Sequence, residues 1–149
     1  MKAFSKSALA RSSNGKESLI NEIKVMRDVR KGDENGKDHL LRLEAVFESD
    51  NSIYMILELL PGRHLLDRFH ENKGIFSSDE VKELMVGILE GLAALHSRRI
   101  MHRDLKPENI MLRSATSMAP VIADFGLATN VDISQYLFFR CGTPGYVAP

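Results

Sequence analysis

From Met101 to Leu112 the chain reads MHRDLKPENIML. Within that stretch His102-Arg103-Asp104 is followed, five residues after the aspartate, by Asn109. A short apolar run, Val121 to Ala123, then leads into Asp124-Phe125-Gly126, and the last residues read CGTPGYVAP, Cys141 to Pro149. Taken singly the pieces say little. Asp-Phe-Gly is a common turn, and a lone His102 reads as a hydrogen-bonded core histidine. The string His102–Asn109 is different: packing or turn formation gives no reason for that order of side chains. With Asp124-Phe125-Gly126 at this distance behind it, chance is negligible.

Upstream lies the clearest regular element, a helix from about Asp79 to His96. Ser77 or Ser78 can cap it, and Asp79 and Glu80 in its first turn suit the helix dipole. Val81, Leu84, Met85, Ile88, Leu89, Leu92 and Leu95 form one broad apolar stripe. Gly87 and Gly91 cost such a helix about 1 kcal/mol each relative to alanine, which close packing against another element would offset. A second helical spacing, Leu19, Ile23, Met26 and Val29, predicts a helix from Glu17 to about Arg30. The polar residues 30–38 predict a loop. Leu43–Phe47 and Ile53–Leu59 predict two strands joined by a turn at residues 48–52, with Pro61-Gly62 ending the second. Ile110–Leu112 and Val121–Ala123 predict a pair of short strands, and everything after Asp124 reads as irregular.

The bulk numbers agree with one soluble domain. The chain has 149 residues, 44% hydrophobic and 27% charged, with 20 basic and 20 acidic side chains that cancel. No net positive field argues for nucleic acid or an anionic membrane as partner, and the apolar runs are too short to span a bilayer. One cysteine, Cys141, excludes an internal disulfide and a cysteine-rich zinc cage. Residues 1–13, MKAFSKSALARSS, are basic, serine-rich and free of acids as transit peptides are, but Lys6 and the serines interrupt any apolar stretch.

The string HRDLKPEN, the Asp124-Phe125-Gly126 that follows it and the closing Gly142-Thr143-Pro144-Gly145-Tyr146-Val147-Ala148-Pro149 resemble the catalytic loop, magnesium loop and activation-segment end of eukaryotic-type serine/threonine protein kinases, in the family's order. DFGLAT and CGTPGYVAP are most similar to the calcium/calmodulin-dependent kinase group. The resemblance implies an α+β, protein kinase-like two-lobed fold, truncated at both ends: 1–60 as incomplete N-lobe and hinge, 61–149 as the first part of the C-lobe through the activation segment. It further implies ATP as phosphoryl donor with Mg2+, a protein substrate, an intracellular, cytoplasmic setting, and calmodulin as a partner only through regions outside these residues.

Roles carry over from the family position by position. Asp104 is implied as the carboxylate beside the attacking hydroxyl, Lys106 as the charge on the transferred phosphate, and Asn109 with Asp124 as magnesium ligands. Thr143 completes that arrangement, and a lysine at 106 marks the serine/threonine branch. Lys2 is implied as the grip on the α- and β-phosphates, at the end of a strand, paired with Glu22 of the Glu17–Arg30 helix. Leu57 takes the gatekeeper position, Glu58 and Leu60 present backbone groups to adenine, and Met111 lies beneath it. This assignment accounts for residues 1–13 better than a targeting peptide does.

Departures from the family pattern matter as well. No G-x-G-x-x-G precedes Lys2, and the family's Gly-Gly-Glu-Leu reads Gly62-Arg63-His64-Leu65, which puts a preference for basic substrates in doubt. Arg103 is implied as the partner of an activation-loop phosphate, yet the related kinases' acceptor threonine corresponds to Phe139. Either Ser134 or Tyr136 accepts phosphate, or Tyr136-Leu137-Phe138-Phe139 packs the loop without one. The rival to a kinase is a non-catalytic, pseudokinase-like binding module or fragment, and the presence of Lys2, Asp104, Asn109 and Asp124 argues against it. A polypeptide of these residues alone is expected to be inactive.

Overall fold

A computed structural model describes residues 1–31, 35–132 and 141–147. Near the N-terminus β1 (Lys2–Ser5), β2 (Leu43–Glu48) and β3 (Ser52–Leu57) form an antiparallel sheet in the order β1-β3-β2, with Lys2 opposite Met55. Lys2 therefore opens its strand rather than ending it. Between β1 and β2 lie α1 (Lys6–Arg11) and α2 (Gly15–Asp28). Helix α1 has no counterpart in the sequence reading. It starts where the Ser5 side chain accepts the Ala8 N–H, the usual use of serine at a helix start. Helix α2 begins two residues earlier than the apolar spacing predicts and buries Leu19, Glu22, Val25 and Met26.

The second layer is built on α4 (Ser78–Ser97), with α3 (Leu65–Glu71) before it. Ser77 is the cap: its hydroxyl accepts the Glu80 N–H while the Glu80 carboxylate accepts the Ser77 N–H, a reciprocal capping box. Two short ladders follow from here. β5 (Ile110–Leu112) pairs with β6 (Pro120–Ile122), and β4 (Ile100–Met101) pairs with β7 (Thr129–Asn130). The last pairing corrects the expectation of an irregular chain after Asp124. Thr129 is buried there, opposite Met101.

Both α4 glycines carry the packing foreseen for them. A Cβ on Gly87 would come within 2.5 Å of Pro120 Cδ and 2.7 Å of His39 Cε1, and one on Gly91 within 3.0 Å of Ile122 Cδ1. The helix therefore gives up propensity to let β6 and the 3-10 turn Lys37–His39 close on it. Its apolar stripe splits in two. Leu84, Ala94 and Leu95 are buried, whereas Val81, Met85, Val86 and Leu89 stand exposed. Between the layers Leu40 bridges to Ile122, Leu41 N–H donates to the Ile122 carbonyl at 2.9 Å, and Phe125 is fully buried.

Candidate active site

The turn that follows β4 folds around a buried histidine. His102 Nε2–H donates to the Ala123 carbonyl at 2.9 Å, and Nδ1 accepts the Asp104 N–H at 3.3 Å. One nitrogen donates and the other accepts, so the ring is neutral, and burial pushes its pKa below the ordinary imidazole value. Its ring stands edge-on to Phe125 at 5.4 Å. The architectural histidine thus ties the loop bearing Asp104 to the strand end bearing Asp124.

Three side chains converge on the Asp104 carboxylate. Thr143 Oγ donates to Oδ1 at 2.6 Å, Asn109 Nδ2 donates to Oδ2 at 3.0 Å, and Lys106 Nζ lies 3.2 Å from Oδ2. Lys106 also donates to the Thr143 hydroxyl at 2.6 Å. Burial raises the Asp104 pKa, but the bonds from Thr143, Lys106 and Asn109 outweigh it and hold the carboxyl below its usual value. An ionised, fixed carboxylate can orient a hydroxyl and take its proton.

Asn109 spends its amide hydrogens on Asp104, bonding both the Oδ2 and, at 2.7 Å, the backbone carbonyl. That leaves its Oδ1, an uncharged hard oxygen. The Asp124 carboxylate is 53% exposed, with Oδ1 accepting the Gly126 N–H at 3.3 Å and lying 3.6 Å from Lys2 Nζ. No group of three or more His, Cys, Asp or Glu among the described residues is placed to hold a metal by itself. One carboxylate plus one amide oxygen suits a magnesium ion that takes its other ligands from phosphate and water, so the residues fit the implied ion.

Lys2 donates to Glu22 Oε1 at 2.8 Å, with the glutamate side chain 8% exposed. Desolvation lowers the Lys2 pKa, but Glu22 and then Asp124 overcome it, so the net shift is upward and the ammonium is retained. Helix α2 is fastened to the segment after Asp124 as well: Asn21 Nδ2 donates to the Ala128 carbonyl at 2.7 Å and Ser18 Oγ to Gly126 at 3.5 Å. Neither bond was legible in the sequence, because an asparagine or serine on a helix surface carries no pattern.

At the connection between the layers Leu60 is buried and Met111 half-buried. The Glu58 N–H donates to the Arg42 carbonyl at 3.0 Å, so a base could address only the Glu58 carbonyl. The Glu58 side chain, which the sequence reading set aside, is 9% exposed. It accepts the Arg42 N–H at 2.9 Å and a hydrogen bond from Arg113 Nη1 at 3.3 Å, gripping both layers where they connect. His64 Nδ1 lies 3.0 Å from the Glu108 carbonyl, and Arg103 Nε donates to the Leu127 carbonyl at 2.7 Å. Ser134, Tyr136 and the apolar 136–139 patch lie outside the described residues.

This carboxylate, lysine and amide arrangement on a two-layered α+β scaffold is that of a protein kinase. The chain belongs to the protein kinase domain family, whose match covers residues 1–149. It is 36% identical to a probable myosin light chain kinase of Dictyostelium discoideum over 99% of its own length and 45% of that protein's. To a calcium/calmodulin-dependent protein kinase of Emericella nidulans it is 40% identical over 91% of this chain and 33% of the relative. To calcium/calmodulin-dependent protein kinase type IV of Mus musculus it is 42% identical over 74% and 24%. The chain thus spans less than half the length of these relatives. No helix among the described residues is long and apolar enough to cross a membrane.

Proposed function

We propose that the domain to which these residues belong transfers the γ-phosphoryl group of ATP to serine or threonine side chains of proteins, with magnesium. The observation that carries this reading is the ring of hydrogen bonds joining Asp104, Thr143, Lys106 and Asn109. Phosphoryl transfer asks a protein mainly for positioning and for charge neutralisation. Asp104 accepts the proton of the attacking hydroxyl. Lys106, in contact with both Asp104 and Thr143, places its positive charge beside the group in transit. Asn109 Oδ1 and Asp124 hold the magnesium that neutralises the phosphates. Lys2, fixed by Glu22, meets the α- and β-phosphates, while Glu58 and Leu60 offer backbone groups to adenine above Met111. Residues 1–60 serve as N-lobe and hinge, and 61–149 as the catalytic part of the C-lobe.

The calmodulin-dependent relatives make regulation by calmodulin the working expectation, through regions other than these. A polypeptide of residues 1–149 alone is expected to turn over no ATP, since the exposed Val81, Met85, Val86 and Leu89 leave α4 uncovered on one side. The test is phosphate incorporation into a peptide substrate by the whole kinase domain, compared with its Asp104→Asn variant. Transfer should be lost while nucleotide binding is largely retained. Near-normal incorporation by the variant would refute the role of Asp104, and a wild-type domain that binds nucleotide without transferring phosphate would favour a binding module.

A further inference from the structure

The 3-10 turn Lys37–His39 places His39 in the α4 notch opposite Gly87 and Gly91. Both ring nitrogens face acceptors: Nδ1 lies 2.8 Å from the Pro120 carbonyl and Nε2 lies 3.2 Å from the Glu90 carboxylate. A carbonyl can only accept, so Nδ1 carries a hydrogen. If the ring were neutral, Nε2 would then aim a lone pair at a carboxylate. Only a second proton satisfies both contacts.

We propose that His39 is a proton-operated latch, which as imidazolium clasps the chain leaving α2 to α4 and on deprotonation releases Glu90. The imidazole is the one side chain type that ordinarily changes charge near neutral pH. The proton has a way in and out, because the His39 side chain is 21% exposed at the edge of an open groove of about 460 Å³. The charged groups around the ring are of both signs. From α4 come Glu90, Asp79 and Glu83 against Lys82; β6 contributes only backbone; the turn itself adds Lys37 and Asp38. Arg113 reaches in only as far as the Asp38 carbonyl.

What the latch fastens gives it a consequence. Arg30, just past α2, donates to the Lys37 carbonyl at 3.0 Å, so the turn is tied to the helix carrying Glu22. One residue after His39, Leu40 bridges to Ile122 of the strand that leads to Asp124. Clasping His39 to α4 therefore fixes the seam across which Glu22 and Asp124 are brought to Lys2. The seam is clasped while both ring nitrogens carry hydrogens and is released when Nε2 loses its own.

The experiment is nitrogen-resolved NMR of the histidine rings in the unmutated whole kinase domain from about pH 5.5 to about pH 8.5, together with melting curves of wild type, His39→Asn and Glu90→Gln. In the acid range both His39 nitrogens should carry hydrogens. As pH rises Nε2 should lose its hydrogen while Nδ1 keeps one, the reverse of the His102 tautomer. Buried, neutral His102 pulls overall stability the other way with pH, so the informative quantity is the difference between wild type and variant. That difference in Tm should be on the order of 1–4 °C at the acid end and vanish at the alkaline end. A neutral His39 ring throughout, a neutral ring protonated on Nε2, or a Tm difference independent of pH overturns the proposal. The ring measurement decides even if a variant fails to fold.

Discussion

Replacing Thr143 by alanine removes one hydroxyl that does two things. It donates to Asp104 Oδ1 at 2.6 Å and accepts from Lys106 Nζ at 2.6 Å. A hydrogen bond to a charged group contributes about 1.5–3 kcal/mol. If the bond to Asp104 serves to hold the base in its reactive orientation, its loss falls on the transition state, and kcat should drop roughly 10- to 100-fold. The KM for ATP should move little, because Thr143 touches neither Lys2 nor Asp124. The variant should also alter the pH response. Thr143 is among the groups that depress the Asp104 pKa, so without it the base protonates at higher pH and the acid limb of kcat/KM moves toward neutrality. In stability the sign is the same: a depressed carboxyl stabilises the fold above its unfolded pKa, and that contribution is lost as pH falls through the folded value. Thr143→Ser keeps the hydroxyl and should recover most of the rate. Steady-state kinetics on the whole kinase domain across pH provide the measurement. An alanine variant within twofold of wild type, with an unmoved acid limb, would show that this hydroxyl plays no part in orienting Asp104.

Three further outcomes follow from distances given above. Glu22→Gln strips Lys2 of its nearest anion, so the KM for ATP should rise about tenfold; an unchanged KM in the same kinetic assay means that the ion pair does not position the lysine. Asp124→Asn should weaken nucleotide binding by calorimetry when magnesium is present and leave magnesium-free binding nearly untouched; equal weakening in both would remove Asp124 from the metal site. Gly87→Ala gains about 1 kcal/mol of helix propensity but forces a methyl to within 2.5 Å of Pro120, an overpacking that costs about 1–3 kcal/mol. Thermal melting should fall by about 2–4 °C, and a rise would mean that β6 yields easily.

The core of the site was legible because its side chains are fixed by chemistry in a short span. Asp104, Lys106 and Asn109 lie within one turn and its 3-10 end, so their order in sequence nearly is their geometry. Lys2 and Glu22 were reached only through family resemblance, since no periodicity links a strand residue to a helix residue 20 positions on. Helix α1 was missed because six residues are too few to show a period. The buried Glu58 carboxylate was missed for a different reason: its partners Arg42 and Arg113 come from distant segments, and a surface strand end looks the same whether or not they arrive. The α4 stripe was read correctly as apolar, but a stripe cannot say which half of it is covered.

Arg103 and Asp124 both adopt left-handed backbone, at φ 67° and φ 62°. Most side chains adopt that conformation only at a cost, while asparagine and aspartate tolerate it better than others. The two positions therefore differ in evolutionary latitude. At 124 a drift from aspartate to asparagine keeps the loop's shape and abolishes only charge, so a lineage could silence the proposed magnesium site in one step without first unfolding it. At 103 an asparagine would relieve the conformational cost but would forfeit the bond from Arg103 Nε to the Leu127 carbonyl, so change there loosens the loop itself. On the proposed role of Asp124, loss of phosphoryl transfer should accordingly begin at that position, with the surrounding fold left standing and free to be used for binding.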